Sequence, residues 1–114
     1  LDPIAHAVEQ ADILKHDEKC DLVICLSHLG YKYDNAKVSD IILAQNSRSI
    51  DIIIGGHTHT FMDQPEYYRN REGDNVMIHQ VGWAGIRLGK ITVTFEENRK
   101  NKCLTCEGIW VKEA

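Results

Sequence analysis

Ile50-Asp51-Ile52-Ile53-Ile54-Gly55-Gly56-His57-Thr58-His59 is the stretch from which the rest of the architecture follows. An apolar run ends in two glycines, and two histidines follow at i and i+2. A run that is apolar on both faces is the signature of a buried parallel strand. The glycines let the backbone turn and approach another group closely. His57 and His59 then stand at the strand's C-terminal end, where open α/β sheets hold their ligands. Neutral imidazole is the commonest metal-ligating side chain, so the stretch points to a metal site on a sheet edge. The competing reading is a polar turn whose histidines only make hydrogen bonds.

Working outward, residues 21–31 read Asp-Leu-Val-Ile-Cys-Leu-Ser-His-Leu-Gly-Tyr. A second apolar strand, residues 22–26, runs into His28, with Gly30 just beyond. Between the two strands, residues 37–47 are predicted to be a helix. Val38, Ile41, Ile42 and Gln45 fall at helical spacing, and Asp34 or Asn35 is placed to cap it. Strand, helix, strand is a βαβ unit with parallel strands and a right-handed crossover. Parallel neighbours bring their C-terminal ends to one sheet edge, so His28, His57 and His59 are expected to converge.

The flanks complete an α/β reading. Residues 2–16 carry Ile4, Val8, Ala11 and Ile13 or Leu14 at amphipathic spacing, with Asp2-Pro3 as the start. Residues 61–75 are polar and aromatic and read as a loop leaving the site. Residues 76–81 form a short strand. Residues 86–96 alternate with period two, residues 97–102 read as a charged turn, and residues 104–112 return antiparallel as the second arm of a hairpin.

Other side chains invite weaker readings. His79 reads as structural or as a support behind the metal ligands, Asp51 as a cap or turn residue rather than a ligand, and Gln80 as a support of the site at one remove. Trp83 reads equally as a site wall or a packing plug. His6 and His16 fit solvent or a helix C-terminal contact. Tyr67, Tyr68 and Arg69 raise nucleotide stacking against a plain solvated loop. Cys25 reads as a small core residue. Cys103 and Cys106 make a Cys-x-x-Cys in a Lys- and Asn-rich turn without a second pair, so free or loosely paired thiols are expected rather than a zinc site or a redox pair.

Composition agrees with one globular domain at most. The chain has 114 residues, 43% hydrophobic and 26% charged, which is ordinary usage. A net charge of −4 without a basic stripe argues against nucleic acid as the partner. No segment approaches the roughly 18 apolar residues of a membrane span.

Leu26-Ser27-His28-Leu29-Gly30 followed by Asp51-Ile52-Ile53-Ile54-Gly55-Gly56-His57-Thr58-His59 resembles the calcineurin-like metallophosphoesterases and, within them, the 5'-nucleotidases. Gln80-Val81-Gly82-Trp83-Ala84-Gly85 and Leu88-Gly89-Lys90-Ile91 resemble the same branch. The resemblance implies the C-terminal half of a four-layer α/β/β/α sandwich: a mixed sheet with a βαβ unit, then an antiparallel hairpin. It implies a two-metal centre of zinc, manganese or iron. His28 and His57 would ligate one metal and His59 the other, and a metal-activated water would hydrolyse a phosphate ester such as a nucleoside monophosphate.

The family's Asp-x-His, Gly-Asp and Asn-His elements do not occur ahead of these motifs. The one Gly73-Asp74 follows the His-x-His pair in a polar loop. The chain starts at Leu1-Asp2-Pro3 and reads as an excerpt lacking the N-terminal metal-binding half. Two functions are therefore expected: a hydrolase whose isolated chain is poorly active, or a non-catalytic half-domain that binds metal weakly and assembles with its missing half or with itself. By resemblance the parent protein is periplasmic or extracellular.

Overall fold

The computed structural model describes residues 2–97 and 102–111. Helix α1 (Pro3–Asp12) opens where Asp2 Oδ1 accepts the backbone N–H groups of Ile4 at 3.0 Å and Ala5 at 3.3 Å. Side-chain capping of this kind satisfies donors the first turn leaves free. The expected helix over residues 2–16 loosens into a π-helical turn, Ile13–Asp17.

Strands β1 (Ile24–Leu26) and β2 (Ile52–Ile54) pair in parallel, joined through α2 (Asp40–Asn46). This is the anticipated βαβ unit, with a shorter helix. Ser39, not Asp34 or Asn35, is the cap, its hydroxyl accepting from Ile42 N–H at 3.3 Å. Asn35 instead accepts from Lys37 N–H at 2.9 Å, closing a local turn that the helix cannot enter.

Strand β4 (Asn75–His79) adds parallel to β2. Residues 66–69, anticipated as loop, form β3 (Glu66–Arg69), antiparallel to β4. The sheet order is β1-β2-β4-β3. β3 hid from its pattern because it has no apolar alternation. Tyr68 faces the helices and meets the Tyr31 hydroxyl at 3.3 Å, while the Tyr67 hydroxyl reaches Leu104 O at 3.5 Å. The loop reading therefore gives way to a strand, with Tyr68 packed against the core cluster and Tyr67 left exposed.

The core lies between sheet and helices. Val23, Leu43, Ala44, Ile50, Ile53, Val76 and Ile78 are buried there, with Ala11 of α1 against them. Full burial of one such aliphatic side chain contributes about 1.5–3 kcal/mol. Ile53 and Ile78 belong to that cluster, while Ile52 and Met77, at paired positions on the other face, are equally buried.

A separate antiparallel pair, β5 (Arg87–Phe95) and β6 (Lys102–Trp110), covers part of that second face, with Gly89 over His79, while Ile24, Leu26 and Ile54 on the same face stay exposed. The expected turn over residues 97–102 lies largely outside the described residues. Cys103 and Cys106 sit in β6 rather than in a turn, and their odd separation aims them at opposite faces. All four cysteines are free.

Contacts at both ends help fasten the hairpin, beside the Tyr67 hydroxyl on Leu104 O and the Arg87–Asp63 ion pair at 2.8 Å. Asp51 takes Lys15 Nζ at 2.7 Å and Val23 N–H at 2.8 Å on one oxygen, and Lys102 Nζ at 3.1 Å on the other. It thus ties the π-helical turn, the entry to β1 and the hairpin together, more than the cap or turn expected of it. At the other end His79 is 3% exposed beneath Gly89, where a side-chain carbon would lie 3.2 Å from its ring.

Neither His79 ring nitrogen has a hydrogen-bond partner. Burial, and secondarily the Arg87 charge, holds its pKa below the ordinary 6.5. The folded chain therefore binds fewer protons at His79 than the unfolded chain does. Its stability should fall as pH drops below about 6.5. Urea unfolding midpoints between pH 7.5 and 5 should show a smaller decline in His79→Leu than in wild type; equal declines would rule out this source.

Candidate metal centre

The C-terminal ends of β1 and β2 carry the histidines. Ser27 N–H donates to Ile54 O at 2.9 Å, continuing the ladder one residue past β1 and delivering His28 to the edge. Gly55 N–H does the same toward His79 O at 2.9 Å before the chain turns through Gly56 into His57. His28, His57 and His59 are all exposed.

His28 and His57 meet. Their rings are 5.0 Å apart, edge to face, and His28 Nε2 lies 3.2 Å from His57 Nδ1. Two nitrogens on a tetrahedral zinc, with bonds of about 2.0–2.1 Å, stand about 3.3 Å apart. The pair therefore fits two donor positions of one metal. Without metal, the same spacing is a single N–H···N hydrogen bond.

His59 does not join them. Its ring stacks on Trp83 at 6.3 Å with an interplanar angle of 19°. Among the described residues no group of three or more His, Cys, Asp or Glu side chains is placed to hold one metal. The structure thus brings together two of the three expected histidines and sets the third beside an indole. Gly73-Asp74 lies in the turn before β4, where Asn70 binds Asp74 in both directions, and it does not reach the histidines.

The backbone at the site is strained. His57 has φ 70° and His59 φ 52°. Thr58 N–H donates to Gly56 O at 2.9 Å, closing a three-residue turn centred on His57. Turns of that hand are rare and costly for a residue with a side chain, and such strain concentrates at functional sites.

Below the rings sit buried polar groups. Asp40, at the start of α2, is completely buried, and its Oδ1 accepts the Ser27 hydroxyl at 2.5 Å. Its Oδ2 has no hydrogen-bond partner. Burial raises its pKa, against the Ser27 hydroxyl and the nearby Gln80 amide, which lower it. Asp40 escaped the sequence reading because an acid beside a helix cap looks like an ordinary first-turn residue. Its one clue was position, beside apolar helix neighbours and ten residues after Gly30.

No protein-family model matches the chain. Over 84 residues, 74% of its length, it is 36% identical to a trifunctional nucleotide phosphoesterase protein of Bacillus subtilis. Over 110 residues, 85% of its length, it is 28% identical to a 5'-nucleotidase-related protein of Glossina morsitans morsitans. The chain spans 5% and 19% of those relatives. The crystal structure of a 5'-nucleotidase precursor from Thermus thermophilus superposes with a TM-score of 0.82 at 26% identity, covering 96% of this chain and 23% of that one.

Gly55 is a tight point of the site. A Cβ there would run into Asp40 Oδ2 and lie 3.1 Å from Gln80 Cγ and Nε2. Asp40 cannot swing aside, being buried and held by Ser27. Gly55→Ala should lower stability by about 1–3 kcal/mol, read as a shift in the urea unfolding midpoint. A loss under about 0.5 kcal/mol would mean that the wedge has slack.

Proposed function

We propose, for a chain that belongs to the 5'-nucleotidase family of metallophosphoesterases, that it forms part of a site hydrolysing phosphate esters, with nucleoside monophosphates as the substrate class. One observation carries this reading. Two imidazole nitrogens stand 3.2 Å apart on the C-terminal edge of a parallel sheet, at the spacing of two ligands on one metal.

His28 and His57 would hold one divalent metal and His59 would belong to a second; zinc, manganese and iron all accept imidazole. Such a metal pair supplies Lewis-acid polarisation of the phosphoryl group and a water of lowered pKa. The chain's own contribution is positional. Asp40 holds Ser27, the residue ahead of His28, and the tight turn at Gly56–Thr58 projects the His57 ring. Trp83, 56% exposed, braces the His59 ring from the solvent side.

The donor set on these residues is short of carboxylates. We propose that it is completed by residues outside this chain's described histidine edge, on further polypeptide or on a second copy, and that the isolated chain is a poor catalyst. A second reading, a non-catalytic half-domain that binds metal weakly and assembles, is favoured by the sheet face beside β1. There Leu26 is 80% exposed, Ile24 47% and Ile54 39%. No helix among the described residues is long and apolar enough to cross a membrane. A periplasmic or extracellular setting is proposed on family grounds alone.

The test pairs zinc binding with phosphate release from a nucleoside monophosphate. Zinc should bind the purified chain and bind at least about tenfold more weakly to His57→Ala. Release should be slow, metal-dependent and lost in the same variant. Zinc binding unchanged by His57→Ala would contradict the site. Rapid turnover by the isolated chain would contradict its proposed incompleteness.

A further inference from the structure

Beneath the two histidine-bearing loops lies a carboxamide that the proposed chemistry does not use. Gln80 follows β4 and is 1% exposed. Its Nε2 donates to Gly56 O at 2.9 Å and to Thr58 Oγ1 at 3.2 Å, while its Oε1 accepts Thr60 N–H at 3.0 Å. Its own backbone N–H is taken by Met62 Sδ at 3.2 Å. One side chain therefore grips the first, third and fifth residues of the segment 56–60. The two residues between its grips are His57 and His59, the two that carry left-handed backbone.

The grip extends to the other loop. Thr58 Oγ1 also accepts Tyr31 N–H at 3.1 Å, three residues beyond His28. The amide orientation is fixed by its partners, since reversing it would turn the donating end onto Thr60 N–H and the accepting end onto Gly56 O. Full satisfaction of a buried carboxamide by three residues of one short loop is a stiff, specific arrangement.

Resting on the metal reading above, we infer that Gln80 is a positioning residue for His57 and His59: its buried carboxamide locks the strained loop that presents both imidazoles. The closing of the 56–58 turn and the 3.2 Å approach of His57 to His28 both lie within the segment it braces. Outer groups that orient metal-binding side chains alter metal affinity by about tenfold to a hundredfold when removed.

The test uses the 114-residue chain, with Gln80→Leu, which keeps bulk but loses every grip, and Gln80→Glu, which keeps the acceptor for Thr60 N–H and loses the donor to Gly56 O. Two readouts are taken. Without metal, NMR couplings between amide and α protons report the backbone of His57 and His59. With cobalt(II), visible absorption reports affinity and coordination. Both variants are first shown to unfold cooperatively, and Gln80→Glu decides the matter if Gln80→Leu does not fold.

The left-handed couplings should be lost in Gln80→Leu, with cobalt affinity down by about tenfold or more, and less so in Gln80→Glu. Couplings retained in a folded Gln80→Leu overturn the inference, whatever cobalt does. Couplings lost while wild type itself binds no cobalt support the loop-locking role and instead sink the metal reading.

Discussion

The strand-end edge depends on the contact of Gly55 with the buried Asp40 carboxyl. β2 needs a residue there without a side chain, because the start of α2 comes up beneath it. That close approach lets Asp40 reach Ser27, which precedes His28, while β2 runs on into His57. Gln80 then holds the outgoing loop from below. Hydrophobic burial of Ile53, Ile78 and Leu43 supplies the energy of the fold. The polar layer around Gly55 decides where the imidazoles end up. A buried polar group without partners is expensive, so the layer tolerates few arrangements, and few arrangements mean a defined site.

Much of this was legible in the sequence. The run from Ile50 to Ile54 and the shorter one before Ser27 read as parallel strands, and the helical spacing between them required a crossover; β1, at the sheet's edge, nevertheless leaves Ile24 and Leu26 exposed. The pairing of β1 with β2 and the meeting of His28 with His57 follow from that geometry. β3 was not legible, because Tyr67 and Tyr68 serve opposite faces and leave no period to detect. The start of α2 was misplaced because several capping residues compete between Asp34 and Ser39, and only tertiary contact of Asp40 with Gly30 and Ser27 selects the last of them.

His59 shows where spacing arguments stop. An i, i+2 pair on a strand would face one side, but past Gly56 the chain is no longer extended. Left-handed backbone at both histidines separates their rings, and the stack on Trp83 takes the second one. The result is an edge with one ready pair of donors and one imidazole beside it. In the proposed two-metal site the pair serves one metal and the single imidazole the other.

Anomalous X-ray scattering from crystals of the chain soaked in zinc tests the central claim most directly. The account predicts a peak bridging His28 Nε2 and His57 Nδ1, about 2.0–2.1 Å from each. Zinc bound only elsewhere, at a thiol such as Cys103 for example, with the two rings still sharing their hydrogen bond, would contradict it.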